Sequence, residues 1–173
     1  MDRTAWVEAA LTEIARVGVA RLAVEPLAKS LGTTKGSFYW HFADRRALVR
    51  AALEHWEDVA TRQVVEDVSA QRSGQRALGL VAAAFAPHES DRAEWMILSS
   101  IDEADVREVV ERVQGARIAF IEQVLREAGV PGARVPGRAR LAYATYLGYL
   151  QMRMGPAGDG VEIPTEEIAA LLS

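Results

Sequence analysis

The chain contains no cysteine, few histidines and no long apolar run, and each absence excludes a class of protein. Without cysteine there is no disulfide, no thiol nucleophile and no thiolate metal site. His41, His55 and His88 lie far apart, and no two of them stand four residues apart as zinc ligands on a helix do, so we predict neither a metal nor a cofactor. No apolar run reaches the roughly 18 residues that span a bilayer. The N-terminus lacks the apolar stretch of a signal peptide, so we expect a cytoplasmic protein with no membrane partner.

Catalytic motifs are also missing from the sequence. No serine stands in the glycine-flanked turn of a hydrolase nucleophile, and no glycine-rich loop resembles a phosphate cradle. Asp102, Glu103 and Asp105 form an acidic cluster that suggests metal binding or acid–base chemistry. They precede a long predicted helix, however, and acidic side chains at that position cap a helix and oppose its dipole. We favour the capping role and do not expect an enzyme.

The net charge of −4 is distributed unevenly along the 173 residues. Residues 1–55 carry eight basic and six acidic side chains, a net charge of +2. Residues 56–173 carry twelve basic and eighteen acidic side chains, a net charge of −6. Because nucleic acid attracts basic surfaces, this asymmetry indicates two tasks for the chain, and only the N-terminal part suits contact with nucleic acid.

Apolar residues recur at helical spacing and almost nowhere at strand spacing, which predicts an all-α protein of about nine helices. The predicted helices cover residues 2–17, 24–31, 35–41, 44–68, 75–86, 91–101, 105–128, 138–154 and 165–172. Thr34 and Asp44 are suited to cap the third and fourth of them. The helix at 138–154 is apolar nearly all round, so we expect protein on every side of it.

A tight turn at residues 31–34 joins the second and third predicted helices, and it contains Gly32, as a helix-turn-helix requires. In the third helix Phe38 and Phe42 share one face, so we expect them to pack on the first helix. Other side chains of this segment project elsewhere and include Lys35, Ser37, Tyr39, Trp40 and His41. The competing interpretation places Tyr39 and Trp40 in the core and makes His41 a structural histidine.

The run from Ala28 to Leu48, AKSLGTTKGSFYWHFADRRAL, resembles the DNA-binding signature of the tetracycline-repressor (TetR/AcrR) family of bacterial transcription regulators. The specific resemblance covers about residues 5–50. It implies an N-terminal three-helix helix-turn-helix DNA-binding domain at residues 1–50 and a C-terminal helical effector-binding and dimerisation domain at residues 51–173. The residues that the resemblance implies for DNA contact are Thr33, Thr34, Lys35, Gly36, Ser37, Tyr39, Trp40, His41 and Arg45. Trp40 stands where many members have a polar residue, and we interpret it as an apolar contact with a sugar or a thymine methyl group.

Large side chains on the later helices are candidates to line an effector pocket, with a place in the packed core as the competing interpretation for each. Three tyrosines recur every third residue along one side of the helix at 138–154. Few basic residues are expected on the buried faces, which argues against a strongly anionic effector and favours a small apolar or aromatic one. The candidate pocket residues are Phe85, His88, Trp95, Met96, Phe120, Tyr143, Tyr146 and Tyr149.

One short recognition helix contacts few base pairs, so specific binding needs two of them, related by the two-fold axis of a dimer and reading a palindrome. We expect the dimer surface on the helix at 138–154, where small residues permit close approach. The candidate interface residues are Leu141, Ala144, Leu147, Gly148 and Met152.

The resemblance to the tetracycline-repressor family implies a ligand-responsive repressor that binds a palindromic operator in double-stranded DNA as a homodimer and is released by a small effector. In this scheme the effector acts through the predicted helix at 44–68, which joins the two parts. Two alternatives stay open: an activator, and a helical ligand-binding or protein-interaction module without DNA-binding activity.

Overall fold

The structure, a computed structural model, describes residues 2–155, 163–164 and 167–168. In these residues the chain forms α1 (Arg3–Val17), α2 (Val24–Ser30), α3 (Lys35–Tyr39), α4 (Arg45–Glu57), α5 (Gln63–Ser69), α6 (Ser73–Phe85), α7 (Asp91–Leu98), α8 (Ala104–Glu127) and α9 (Val135–Met154). The same residues contain no strand, so the all-α prediction is confirmed. The predicted helix at 165–172 lies outside the described residues, apart from 167–168, which are helical. Across the described part, no helix combines the length and the apolar character needed to cross a membrane.

One helical run extends from α4 into α5, because a π-helical turn at Asp58–Arg62 connects them. Counted as one helix, the run brings the described part of the chain to eight helices. The sequence pattern predicts the run at 44–68 but not the π turn within it. A π turn carries i to i+5 bonding in a helix otherwise bonded i to i+4, and such turns occur often at functional sites.

The contacts divide the chain into two units, one of residues 1–59 and 89–111 and one of residues 60–88 and 112–173. This division differs from the predicted boundary at residue 50, chiefly because α7 packs along α1. Ala93 and Ile97 of α7 are buried, and Arg92 donates from Nε to the carbonyl of Ala15 at 3.3 Å. A helix distant in sequence therefore completes the N-terminal unit, which no local pattern indicates.

The first unit contains α1 to α4, α7 and the start of α8, and its core is aromatic and aliphatic. Trp6 and Ile14 of α1 and Leu48 and Leu53 of α4 are fully buried. Two predicted caps are confirmed here: Asp44 accepts a hydrogen bond from the amide of Ala47 at 2.7 Å, and Thr34 caps α3. The buried core and these two caps stabilise the unit.

The second unit contains α5, α6, most of α8, and α9. One hydrophobic cluster joins Val68 of α5 to Phe120 and Val124 of α8, with side chains of α6 packed against it. A second cluster joins Leu125 to the start of α9. That helix begins at Val135 rather than at the predicted residue 138, because a proline in the first turn of a helix costs no hydrogen bond.

Candidate functional site

The turn between α2 and α3 is held by its own backbone. Gly32 has a φ of +62°, in the left-handed region that glycine adopts without strain. The amide of Thr33 donates to the carbonyl of Ala28 at 2.9 Å, and the hydroxyl of Thr34 accepts from the amide of Ser37 at 3.3 Å. These bonds fix the direction in which α3 leaves the turn, so they form the helix-turn-helix predicted from the sequence.

One face of α3 and of the residues after it points into the first unit. Phe38 is fully buried, with its ring edge-on to Trp6 of α1 at a centroid distance of 5.5 Å. Phe42 is also buried, stacks on Phe38 at 5.6 Å, and lies under the guanidinium of Arg3. The prediction that these two phenylalanines pack on the first helix is confirmed.

The other face of α3 points to solvent. Tyr39 is 57% exposed and Trp40 is 88% exposed, so the competing interpretation that placed them in the core is wrong. Among the other predicted contact residues, Thr34, Lys35 and Gly36 are exposed, whereas Thr33, Ser37 and His41 are half-buried. Tyr39 and Trp40 are adjacent, so together they form an exposed aromatic patch on this side of the unit.

Arg45, at the first position of α4, turns towards its own unit. Its guanidinium donates to the backbone carbonyls of Leu22 at 2.6 Å, of Ala20 at 3.2 Å, and of Val19. These contacts satisfy three carbonyls around a short 3₁₀ turn and fix the start of α4. The structure therefore gives Arg45 a structural role, and its contact with DNA stays a prediction.

A second arginine of α4 forms an ion pair that the sequence does not indicate. Arg46 donates two hydrogen bonds to the carboxylate of Asp105 in the first turn of α8, at 2.5 and 2.6 Å. These bonds lower the pKa of Asp105 and raise the pKa of Arg46 from their ordinary values. Asp105 thus lies in the first turn of the helix, as predicted, and also links α8 to α4.

Four aromatic side chains of the second unit lie together, and we call them the aromatic cluster: Phe85, Tyr143, Tyr146 and Tyr149. Phe85 of α6 lies 5.0 Å from Tyr149 and 6.3 Å from Tyr146, measured between ring centroids. Tyr143 stacks on Tyr146 at 6.2 Å. All four belong to the predicted pocket set. They are the members of that set that the structure brings close to one another.

The remaining candidate pocket residues have other surroundings. Phe120 is packed in the hydrophobic cluster with Val68 and Val124, and Nε2 of His88 lies 2.7 Å from the carbonyl oxygen of Ala83. In the first unit, Trp95 and Met96 of α7 are half-buried, and the Sδ-methyl end of Met96 faces Gly18 at the end of α1. A pocket role for these four residues stays a prediction.

An arginine joins the aromatic cluster, contrary to the expectation of few buried basic side chains. Arg117 of α8 is half-buried, and its guanidinium lies 5.4 Å from the ring centroid of Tyr146. It also donates to the hydroxyl of Thr61 at 2.9 Å and to the carbonyl of Ala60 at 3.0 Å. The sequence could have indicated that Arg117 faces inward, because Arg117 falls four residues after Val113, which lies on the apolar stripe of α8 and is buried.

The predicted interface residues lie on one face of α9. Ala144 and Gly148 are exposed, Leu141 is 49% exposed and Met152 is 52% exposed, whereas Leu147 is half-buried. Their spacing of three or four residues places the exposed ones on a single stripe. The sequence predicts protein on every side of α9, but among the described residues this stripe is left exposed.

Comparisons with known proteins agree with this geometry. Residues 7–52 match the family model described as bacterial regulatory proteins, tetR family. The HTH-type transcriptional regulator SrpR of Pseudomonas putida is 24% identical over 128 residues. That match covers 73% of this chain and 60% of SrpR, so the chain spans less than two thirds of that relative.

Solved structures of similar fold cover nearly the whole chain. A protein of Saccharomonospora viridis described as a transcriptional regulator, in complex with choline, superposes with a TM-score of 0.77 at 17% identity, covering 98% of this chain and 92% of that one. AibR, in complex with isovaleryl coenzyme A and operator DNA, superposes with a TM-score of 0.71 at 19% identity, covering 98% and 95%. The helix-turn-helix and the family match agree: residues 7–52 are similar to the tetR family of bacterial regulatory proteins, and the chain shares its fold with these solved structures.

Proposed function

We propose that this chain is a transcriptional repressor that binds a palindromic operator as a homodimer and leaves the DNA when a small apolar or aromatic effector binds. Regulators of the tetR family are DNA-binding proteins, often ligand-responsive repressors. The observation that carries the proposal is the outward face of α3, where Tyr39 and Trp40 are exposed beside Lys35. Two adjacent large aromatic side chains in solvent are typical of a surface that contacts a partner molecule, which supports the proposal.

The chemistry of this face suits the major groove of DNA. Lys35 supplies a charge for a phosphate, and the hydroxyl of Tyr39 supplies a hydrogen-bond donor for a second one. Trp40 offers an apolar surface to a sugar or a thymine methyl group. Gly36 has no side chain, so at this position the backbone of α3 can approach the DNA closely. Residues Thr33, Thr34, Ser37 and His41 border this surface and complete the proposed contact set.

The dimer follows from the open stripe on α9. Leu141 and Met152 are large apolar side chains in solvent, and Gly148 between them has no atom near the position of a Cβ. Such a surface allows a second helix to approach closely. We assign it to a second copy of this chain, because a two-fold dimer supplies the second recognition helix that a palindrome needs.

The aromatic cluster is the proposed effector site. Its rings present apolar faces with three hydroxyl groups that can accept or donate hydrogen bonds, which suits an apolar or aromatic molecule with a few polar atoms. Two solved structures of this fold, in complex with choline and with isovaleryl coenzyme A, support a small-molecule ligand in general.

The test is selection of duplexes from random DNA, followed by affinity measurements at fixed salt. We expect wild type to enrich a palindrome, and Tyr39→Ala and Trp40→Ala each to weaken its binding by about 1–3 kcal/mol. Lys35→Ala is expected to lower the slope of log affinity against log salt by about one unit. Arg126→Ala, which removes an exposed charge in the second unit, is the control and keeps wild-type affinity. A wild-type protein that enriches no sequence refutes the proposal.

The dimer is tested separately by sedimentation equilibrium. Leu141→Glu and Met152→Glu place a charge on the stripe and are expected to give monomers at micromolar concentration. Leu78→Glu is the matched control, since Leu78 is an equally exposed leucine on α6. A wild-type protein that sediments as a monomer at micromolar concentration contradicts the dimer assignment.

A further inference from the structure

The π turn at Asp58–Arg62 lies where the chain passes from one unit to the other, since the division falls between Val59 and Ala60. In a π turn the carbonyls and amides no longer follow the alignment of the α-helix on either side, so some backbone groups lose good partners. A buried carbonyl without a partner is costly. A side chain that donates a hydrogen bond to such a carbonyl therefore stabilises the turn.

Arg117 supplies two such donors to this turn. Its terminal nitrogen donates to the carbonyl of Ala60 at 3.0 Å, and its Nε donates to the hydroxyl of Thr61 at 2.9 Å. Thr61 is buried, although its side chain is polar. Hydrogen bonds from a charged donor are stronger than those between neutral groups, and the planar guanidinium holds both acceptors in one geometry.

The same guanidinium lies over the ring of Tyr146, at 5.4 Å from its centroid. Tyr146 stacks on Tyr143 and lies edge-on to Phe85, so it belongs to the aromatic cluster. One side chain therefore touches both the proposed effector site and the turn in the helix that leads to α4. A shift of the Tyr146 ring removes the surface on which the guanidinium rests.

We propose that Arg117 is a positioning residue that couples the aromatic cluster to the π turn, and through the turn to the helix that begins beside the recognition helix. The inference rests on the proposed function. In the DNA-binding state Arg117 holds Ala60 and Thr61. An effector that enters the aromatic cluster displaces the Tyr146 ring, so the hydrogen bonds from Arg117 weaken and the π turn that continues from α4 loses its fixed geometry.

The test uses the full-length chain and needs no effector, because the substitutions release the turn directly. Arg117→Met removes both donors while it keeps the length of the side chain, and Thr61→Val removes one acceptor while it keeps the shape. Arg117→Lys keeps the charge but lacks the planar guanidinium that places a separate N–H on each acceptor, so it serves as a milder variant that keeps the test valid if Arg117→Met does not fold. Arg126→Met is the matched control, since Arg126 lies on the same helix and pairs with Glu122 of that helix.

Two quantities are measured on each variant: hydrogen exchange of the amides at 58–66, and affinity for the duplex that wild type selects from random DNA. We expect Arg117→Met to accelerate exchange at 58–66 and to weaken DNA binding, each by about tenfold, with Thr61→Val and Arg117→Lys between it and wild type. Arg126→Met is expected to match wild type in both.

The outcomes separate this inference from the function on which it rests. If wild type selects no duplex, the proposed function fails and the coupling fails with it. If wild type selects a duplex and the Arg117 and Thr61 variants bind it as Arg126→Met does, the coupling alone is wrong. Faster exchange without weaker DNA binding also overturns it, because Arg117 then stabilises the turn without transmitting anything to the recognition helix.

Discussion

Two helices of the molecule are rich in aromatic residues, and they use them in opposite ways. In α3 and the residue after it, Tyr39 and Trp40 point to solvent while Phe38 is buried between them and α1. In α9, Tyr143 and Tyr149 are buried and face other aromatic rings. The first arrangement leaves aromatic rings available to a partner outside the chain, whereas in the second the rings pack against one another.

The difference shows which kind of aromatic surface can be predicted from the sequence. An outward aromatic face can be recognised from a few adjacent residues, because burial of one face of a short helix leaves the other face exposed. An inward cluster forms from helices distant in sequence, so the same residue types on α9 do not reveal whether they form a core or a ligand site. The following predictions test this contrast, from the largest expected effect to the smallest.

The largest expected effect is the difference in stability between a substitution on the buried side and one on the solvent side of α3 and the residue after it. We expect Phe38→Ala to lower the free energy of unfolding by about 3–5 kcal/mol, because it removes a fully buried ring. Trp40→Ala, on the solvent side, is expected to change it by no more than about 0.5 kcal/mol. Urea denaturation followed by circular dichroism measures both. If Trp40→Ala destabilises the protein as much as Phe38→Ala, the outward face is part of the core and the contrast breaks down.

Substitution of Arg45 tests whether this arginine supports the reading surface. Arg45→Met removes the guanidinium donor from three carbonyls of residues 19–22, of which that of Val19 keeps the amide of Leu22, and this is expected to cost about 1–3 kcal/mol of stability. Arg50→Met, at an exposed position on the same helix, is the control and is expected to have little effect. Equal stability of the two variants in urea denaturation argues that Arg45 is available for DNA.

Coupling within the aromatic cluster can be measured by a double-mutant cycle. Phe85→Leu and Tyr149→Leu are expected to interact by about 0.5–1.5 kcal/mol, since their rings lie 5.0 Å apart. A second cycle that pairs Tyr149→Leu with Val130→Ala serves as the control, because Val130 packs against a different cluster. Purely additive effects of Phe85→Leu and Tyr149→Leu show that the rings do not act as one cluster.

The smallest effect concerns the ion pair between Arg46 and Asp105. Because Arg46 lowers the pKa of Asp105 below its ordinary value of 3.8, the pair stabilises the folded protein above that pH and stops doing so as the pH falls through the lowered pKa. The difference in urea midpoint between wild type and Asp105→Asn is therefore expected to be constant from pH 7 to pH 5 and to shrink below pH 4. Asp102→Asn, at an exposed position nearby, is expected to show no such trend. A difference that grows on acidification contradicts the assignment.

The local parts of the molecule could be predicted from the sequence. Gly32 marks the turn, Thr34 and Asp44 cap the helices that follow, and the spacing of Phe38 and Phe42 gives the buried face. Each of these signals acts over a few residues, so neighbouring sequence contains the whole cause.

The parts that sequence reasoning missed depend on residues far apart in the chain. Arg46 and Asp105 are 59 residues apart, and Arg117 and Thr61 are 56 residues apart. The π turn at 58–62 is tied to the second of these contacts, and its sequence reads as ordinary helix. Long-range contacts of polar side chains leave no periodicity, so a pattern-based prediction does not find them.

The exposure of Trp40 gives the molecule an internal optical probe. Of the four tryptophans, Trp6 and Trp56 are buried and Trp95 is half-buried, so a water-soluble quencher of tryptophan fluorescence reaches Trp40 most readily. When another molecule covers the outward face of α3, Trp40 is shielded and that part of the quenching disappears. Occupancy of the recognition surface can therefore be followed by the light that the unlabelled protein emits.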